Sequence, residues 1–180
     1  MLYGNRSYGS ALYELSKICK KCNMINIGAG AFVGEHSFSN ILAKNRPDKE
    51  DLKIINYFAN EIIKKINNFS NSNININIKK ENLENYYKPK YYDGSIIEFK
   101  NFKPKVSEYC NNCKKCVYIC PMNSISYENV SKYTSICIKC CSCIKKCPRK
   151  ARYFDDKGYI YHKLELESTY TDRADIKLYY

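Results

Sequence analysis

Cys110-Asn-Asn-Cys113-Lys-Lys-Cys116-Val-Tyr-Ile-Cys120-Pro121 decides how the second half of this chain folds, because its pattern is used twice. Cys137-x2-Cys140-x2-Cys143-x3-Cys147-Pro148 repeats the spacing, with every cysteine displaced by the same 27 residues. Eight thiolates arranged this way are what two cubane iron–sulfur clusters need. A [4Fe–4S] cluster takes one thiolate at each of four corners, and a Cys-x2-Cys-x2-Cys loop wraps three of them. The fourth ligand must come from elsewhere in the chain. Each proline lacks an N–H and fixes its own φ, so it turns the backbone away just after a ligand. The chemistry implied is single-electron transfer.

Two rival readings fit less well. Structural zinc sites also use four cysteines, but these usually arrive as two separated pairs. A disulfide framework suits a secreted chain, and nothing at the amino terminus reads as a signal peptide. Cys141, beside Cys140, is a ninth cysteine in the region. It reads as a small buried thiol or as an alternative ligand, and the first is preferred because eight ligands are already supplied.

Residues 105–150 resemble a bacterial-type dicluster ferredoxin domain. The resemblance implies a small α+β unit with a pseudo-twofold pair of cluster loops, a β-hairpin or two, and short helices leading from Cys116 and Cys143 into the Cys-Pro turns. It also implies crossed ligation. Cys110, Cys113, Cys116 and Cys147 would hold one cluster, and Cys137, Cys140, Cys143 and Cys120 the other. Crossing fuses the two halves into a unit expected to need metal in order to fold.

Residues 3–68 carry a second resemblance. Tyr3-Gly4-Asn5-Arg6, then Gly28-Ala-Gly30-Ala-Phe-Val-Gly-Glu-His36-Ser37, then Asn45-Arg46-Pro47-Asp48 look like the last third of a flavodoxin-like domain. With the cysteine repeats after it, the order is similar to the flavodoxin–ferredoxin fusion proteins of clostridia. That fold is a doubly wound parallel sheet with flavin at the carboxyl ends of its strands. The resemblance makes Gly4, Asn5, Arg6, Gly30 and His36 flavin-proximal positions. It begins, however, near the end of the family's fourth strand, so the first three strands and the phosphate loop have no counterpart here. FMN is therefore expected only with a completing partner.

Sequence patterns between these motifs give further expectations. Ser7 can cap a helix over about residues 8–21, with Leu12, Leu15 and Cys19 on one face. Residues 24–29 read as a buried strand ended by glycines. A second helix opens at Pro47-Asp48 and places Leu52, Ile55, Phe58, Ala59, Ile62, Ile63 and Ile66 at helical spacing to about residue 67. So apolar a face needs a sheet, and one strand with two helices cannot make it. Ser70–Lys80 read as a linker or, secondarily, an edge strand, continued through Tyr86, Tyr87, Tyr91 and Tyr92. The tail reads as a hairpin: Tyr153-Phe154, a turn at Asp156-Lys157-Gly158, then alternating Tyr159, Tyr161 and Leu164.

The net charge is +12 over 180 residues, and residues 105–150 hold nine Lys and Arg against two Glu. Basic stretches interleaved with tyrosine can bind nucleic acid, and that remains an alternative. The preferred reading is that Lys114, Lys115, Lys145, Lys146, Arg149 and Lys150 offset the negative charge of the clusters and attract an acidic or flavodoxin-like redox partner. Cys19-x2-Cys22 sits at a helix carboxyl end, the wrong end for lowering a thiol pKa. His162 has no partner visible in sequence. No Walker loop, Ser/His/Asp set or carboxylate pair stands out.

The expected fold class is α+β: a partial flavodoxin-like α/β segment (1–69), a linker (70–104), a 2[4Fe–4S] ferredoxin domain (105–150) and a tail (151–180). No apolar stretch approaches the roughly 20 residues of a membrane span, and eleven cysteines without a targeting segment suit a reducing, cytoplasmic setting. The expected function is an electron carrier rather than a catalyst. Alternatives are a subunit of a flavin-dependent oxidoreductase and a cluster-bearing nucleic-acid-binding protein.

Overall fold

Pro47 and Asp48 start the longest element of the structure, a computed structural model that describes residues 1–68, 75–79 and 87–180. Asp48 caps the helix by accepting from the N–H groups of Glu50 and Asp51, and the Asp51 carboxylate accepts from the Asp48 N–H in return. The elements in chain order are β1 (Leu2–Tyr3), α1 (Ala11–Lys21), β2 (Ala29–Val33), α2 (Lys49–Asn67), a 3-10 turn (Phe99–Asn101), β3 (Lys105–Val106), α3 (Lys115–Tyr118), α4 (Ser142–Lys145), β4 (Arg152–Tyr153), α5 (Lys157–Thr169) and β5 (Lys177–Tyr179). Helices with small sheets are compatible with the expected α+β class. The chain divides into two compact units, one of residues 1–36, 40–87 and 170–180, the other of 37–39 and 88–169.

In the first unit a three-stranded sheet runs β1-β2-β5. β1 and β2 are parallel, while β5 adds antiparallel to β2, pairing Gly30 with Leu178. Leu12 of α1, Ala31 of β2 and Ile78 form the buried core, with Tyr3, Tyr8 and Tyr179 packed around it. On α2, Phe58 meets Phe32 edge-on at 5.9 Å and Tyr180 at a tilt at 5.7 Å. Arg46 and Asp51 form a buried ion pair, and Arg46 Nη1 also donates to the Ala174 carbonyl at 2.6 Å.

Several expectations are corrected here. The strand lies at 29–33, not 24–29. Gly30 sits inside it, where the Phe32 ring and then Leu178 take the space of a Cβ, while at Gly28, just before it, Ile62 stands where a Cβ would project. Asn26 instead meets residues 75 and 76 through two hydrogen bonds. The first helix begins at Ala11 with Ser10 as its cap residue, and the Ser7 hydroxyl accepts from the Gly9 N–H in the preceding turn. Strands β1 and β5 supply the sheet that one strand could not. That sheet covers only part of α2: Ile55, Phe58 and Ile62 are half-buried, while Leu52, Ile63 and Ile66 remain about half exposed. Of the expected linker, 70–74 and 80–86, Tyr86 included, lie outside the described residues. Ile78 is core, and Lys90 pairs with Ile96 across a turn.

The second unit carries the 27-residue offset into its backbone. Helix α3 maps onto α4, residue for residue. Left-handed residues recur at matched places, Asn112 with Lys139, Lys114 with Cys141 and Asn123 with Lys150. The Val106–Arg152 pairing between β3 and β4 has its counterpart in the Ile125–Tyr133 bridge. The tail is not a hairpin. Residues 157–169 form α5, whose buried positions Tyr159, His162 and Leu166 follow helical spacing. The alternation of tyrosines concealed that spacing. Phe99, Phe102, Phe154 and Phe38 pack against this helix's Tyr159 and His162 or against one another.

Candidate metal centre

The eight cysteines of the two motifs sort into two cavities. Cys110, Cys113, Cys116 and Cys147 line one of about 340 Å³, its open mouth included. Cys120, Cys137, Cys140 and Cys143 line a second of about 370 Å³. Each cavity takes three thiols from its own loop and the fourth from the Cys-Pro turn of the other repeat. Local geometry explains this. The left-handed residue at Lys114 or Cys141 bends each loop into its short helix, and the helix delivers its last cysteine to the opposite side.

Backbone donors converge on the crossing thiols. Ser124 N–H donates to Cys120 Sγ and Ala151 N–H to Cys147 Sγ, both at 3.3 Å. These donors stand at the same position after each Cys-Pro, and N–H···S bonds of this kind favour a thiolate and tune an attached cluster. Burial pushes the Cys143 thiol up to about 12. A thiolate there needs a cation beside it, as iron would be.

Arg152 is the residue that sequence reasoning missed. It is 3% exposed. Its Nη1 donates to Cys116 Sγ at 3.4 Å and to the Val130 carbonyl at 2.9 Å, and its Nη2 to the Tyr133 hydroxyl at 2.7 Å. Its Nε has no hydrogen-bond partner among the described residues. Burial pushes the Tyr133 phenol up to about 12, so it stays protonated and donates to the Pro104 carbonyl at 2.5 Å. A buried guanidinium with a spare donor, set beside four thiols, calls for negative charge. A cubane carrying four thiolates supplies it. The available signal was a break in the repeat, since the first copy has Ile125 where the second has Arg152.

Among the described residues no three His, Cys, Asp or Glu side chains converge as they would on a single metal ion. A cubane differs because each thiolate binds its own iron corner, so the ligands ring a cavity instead of meeting at a point. The residues present fit such a cluster.

The other candidates fall elsewhere. Cys141 is buried and is a fifth cysteine lining the second cavity, 3.6 Å from the Tyr159 hydroxyl. Lys114, Lys115 and Arg149 line the first cavity and Lys139 the second. Lys139 Nζ donates to the Lys100 and Cys137 carbonyls and Lys114 Nζ to the Tyr127 carbonyl, so both lysines brace loops. Cys19 and Cys22 lie at the carboxyl end of α1. His162 Nδ1 is 2.9 Å from Glu165 Oε2.

The positions expected near flavin are engaged within the chain. The Asn5 amide donates to the Tyr170 and Asp172 carbonyls at 2.8 Å and accepts from Ala174 N–H at 3.2 Å, which engages both of its N–H groups and its oxygen on the carboxyl-terminal segment. Arg6 stacks on the Tyr87 ring at 3.4 Å. The His36 ring packs on Gly4, and Gly30 lies within β2. No helix among the described residues is long and apolar enough to cross a membrane. Comparison with known proteins finds no matching family model, no matching curated protein and no matching solved structure.

Proposed function

We propose that this chain is an iron–sulfur electron-transfer protein of the dicluster ferredoxin type, relaying single electrons through two [4Fe–4S] clusters between redox partner proteins. The observation that carries the reading is the crossed sorting of eight cysteines into two cavities of four. When bound, each cluster supplies a reversible one-electron couple. The chain's own residues do the rest. Thiolates fix the position of each group, Ser124 and Ala151 direct N–H dipoles at the sulfurs, and Arg152 with the loop lysines lowers the cost of added negative charge. Exposed Tyr109 and Ile136 precede the first cysteine of each loop and offer apolar contact at a docking surface. An acidic partner, flavodoxin-like among the possibilities, matches the surrounding lysines in charge.

The test is anaerobic purification followed by iron and sulfide analysis. About eight of each per chain, with a reducible cubane spectrum, is the expected result. Stoichiometric zinc, or cysteines paired as disulfides, would overturn the reading.

A second reading makes the chain a subunit of a larger oxidoreductase. It rests on the uncovered apolar side chains of α2, Leu52, Ile63 and Ile66, and on β1 being an edge strand. Co-purification of a stoichiometric flavoprotein chain would support it, and a free monomer in native extracts would remove it.

A further inference from the structure

The two repeats match in backbone but not in charge, and the difference is concentrated at one pair of positions. Ile125 and Arg152 are equivalent across the 27-residue offset, and both are buried, at 4% and 3% exposure. Ile125 brings no charge to the second cavity. Arg152 brings a full positive charge to the first, with Nη1 3.4 Å from Cys116 Sγ. The remaining lining repeats the bias. Lys114, Lys115 and Arg149 border the first cavity, whereas Lys139 is the one charged lining residue of the second among the described residues. Among the ligands, Cys113 is exposed while its counterpart Cys140 is half-buried, and buried Cys141 also lines the second cavity.

Reduction adds one negative charge to a cluster. Nearby cations and water both stabilise that charge, and a hydrogen bond to a ligand sulfur does so too. The first cavity has more cations and, besides the backbone donor that each cavity has, a guanidinium N–H on a ligand sulfur. We propose that the two clusters are inequivalent, that the one held by Cys110, Cys113, Cys116 and Cys147 has the higher reduction potential, and that Arg152 sets most of the difference. This rests on the two-cluster reading above. An electron delivered to either cluster by a low-potential donor protein then settles at the first, whose exposed loop is the exit toward the acceptor.

The charge of Arg152 also reaches Cys143, so its removal touches both clusters. The hydrogen bond falls on Cys116 alone, and the larger effect belongs there. Arg152 acts as a positioning and tuning residue, through the field at a ligand sulfur.

The experiment is an anaerobic redox titration of the full chain with dithionite and mediators, read by electron paramagnetic resonance, after iron and sulfide content has been measured. Absence of iron in the wild type would defeat the two-cluster reading itself. With two clusters present, two resolved steps are expected, and the Cys140→Ala variant, which keeps the first cluster, should retain the upper one. Arg152→Gln should lower the upper step by about tenfold in its redox equilibrium, ~59 mV for one electron, and the lower step by less. Arg152→Lys should fall between Gln and wild type. If Arg152→Gln fails to assemble, the Lys variant carries the test, because it keeps the charge and loses the fork that reaches Cys116 and Tyr133 together. A single step in the wild type, an upper step lost in Cys140→Ala, or unchanged potentials in the assembled Arg152 variants would overturn the proposal.

Discussion

The thiol of Cys141 meets the hydroxyl of Tyr159 at 3.6 Å, and both residues are almost wholly buried, at 3% and 6% exposure. Burial pushes the Cys141 thiol up to about 11, and the anionic cluster expected beside it acts in the same direction. Cys141 is therefore a protonated, inert thiol at neutral pH. Cys141→Ala should keep its full iron content and lose about 1 kcal/mol of stability. In the folded wild type an alkylating reagent at pH 8 should modify exposed Cys22 well before Cys141, read by mass spectrometry. Between about pH 9 and 11 the unfolded chain releases this proton first, so the stability of this region should fall as pH rises. Halved iron in Cys141→Ala would make it a ligand instead.

The crossing of ligands makes a prediction about pairs of substitutions. Cys116→Ala with Cys147→Ala removes two thiols from one cavity, while Cys116→Ala with Cys120→Ala removes one from each. The first pair should retain about half the iron and sulfide, and the second should retain almost none. The reverse pattern, with half the iron kept in the second pair and almost none in the first, would show that each repeat holds its own cluster.

Much of this was legible in the sequence, and the rest was hidden for physical reasons. Cysteine spacing is a local constraint, and the resemblance it carries led to the short helices α3 and α4. Asp48 before an apolar periodic run foretold α2 for the same reason. Strand β2 was displaced by five residues because its pairing with β5 joins residues far apart in the chain, and nothing near Gly28 signals that. Helix α5 was concealed by tyrosines that alternate as well as they spiral. Asn5 was read toward a ligand, yet its partners are the carbonyls of Tyr170 and Asp172, at the other end of the sequence.

Arg46 and Asp51 hold the start of α2 to the segment before it through a buried ion pair, with Arg173 adding a 3.2 Å contact to Asp51. The Arg46 hydrogen bond keeps the Asp51 carboxyl below its usual range. Unfolded, the same group titrates near 3.9. Its contribution to stability is complete above that value and is lost as pH falls toward the lower folded pKa. Asp51→Asn leaves the Arg46 charge buried without its partner and should cost about 3–5 kcal/mol at pH 7. Urea denaturation monitored at Tyr57 or in α2 amides should show this loss at pH 7, and a shallower acid dependence than wild type between pH 5 and 2. Identical acid profiles would remove Asp51 as the titrating group.

Iron removal should unfold the cluster loops selectively. Between residues 105 and 153 the regular elements are two helices of four residues and two strands of two. Helices that short do not persist alone in water. The buried apolar side chains in this stretch, Ile125, Val130 and Ala151 with the Cys141 thiol, make too small a core to replace the missing ligation. Metal binding there is folding free energy. An anaerobic chelator should therefore abolish hydrogen-exchange protection at the Cys120, Cys147, Ser107 and Thr134 amides. The α2 amides, held by a capped nineteen-residue helix, should keep theirs. Protection that survives in residues 105–153 after complete loss of iron would mean that the loops are built by side-chain packing, and that the clusters are guests in a preformed scaffold.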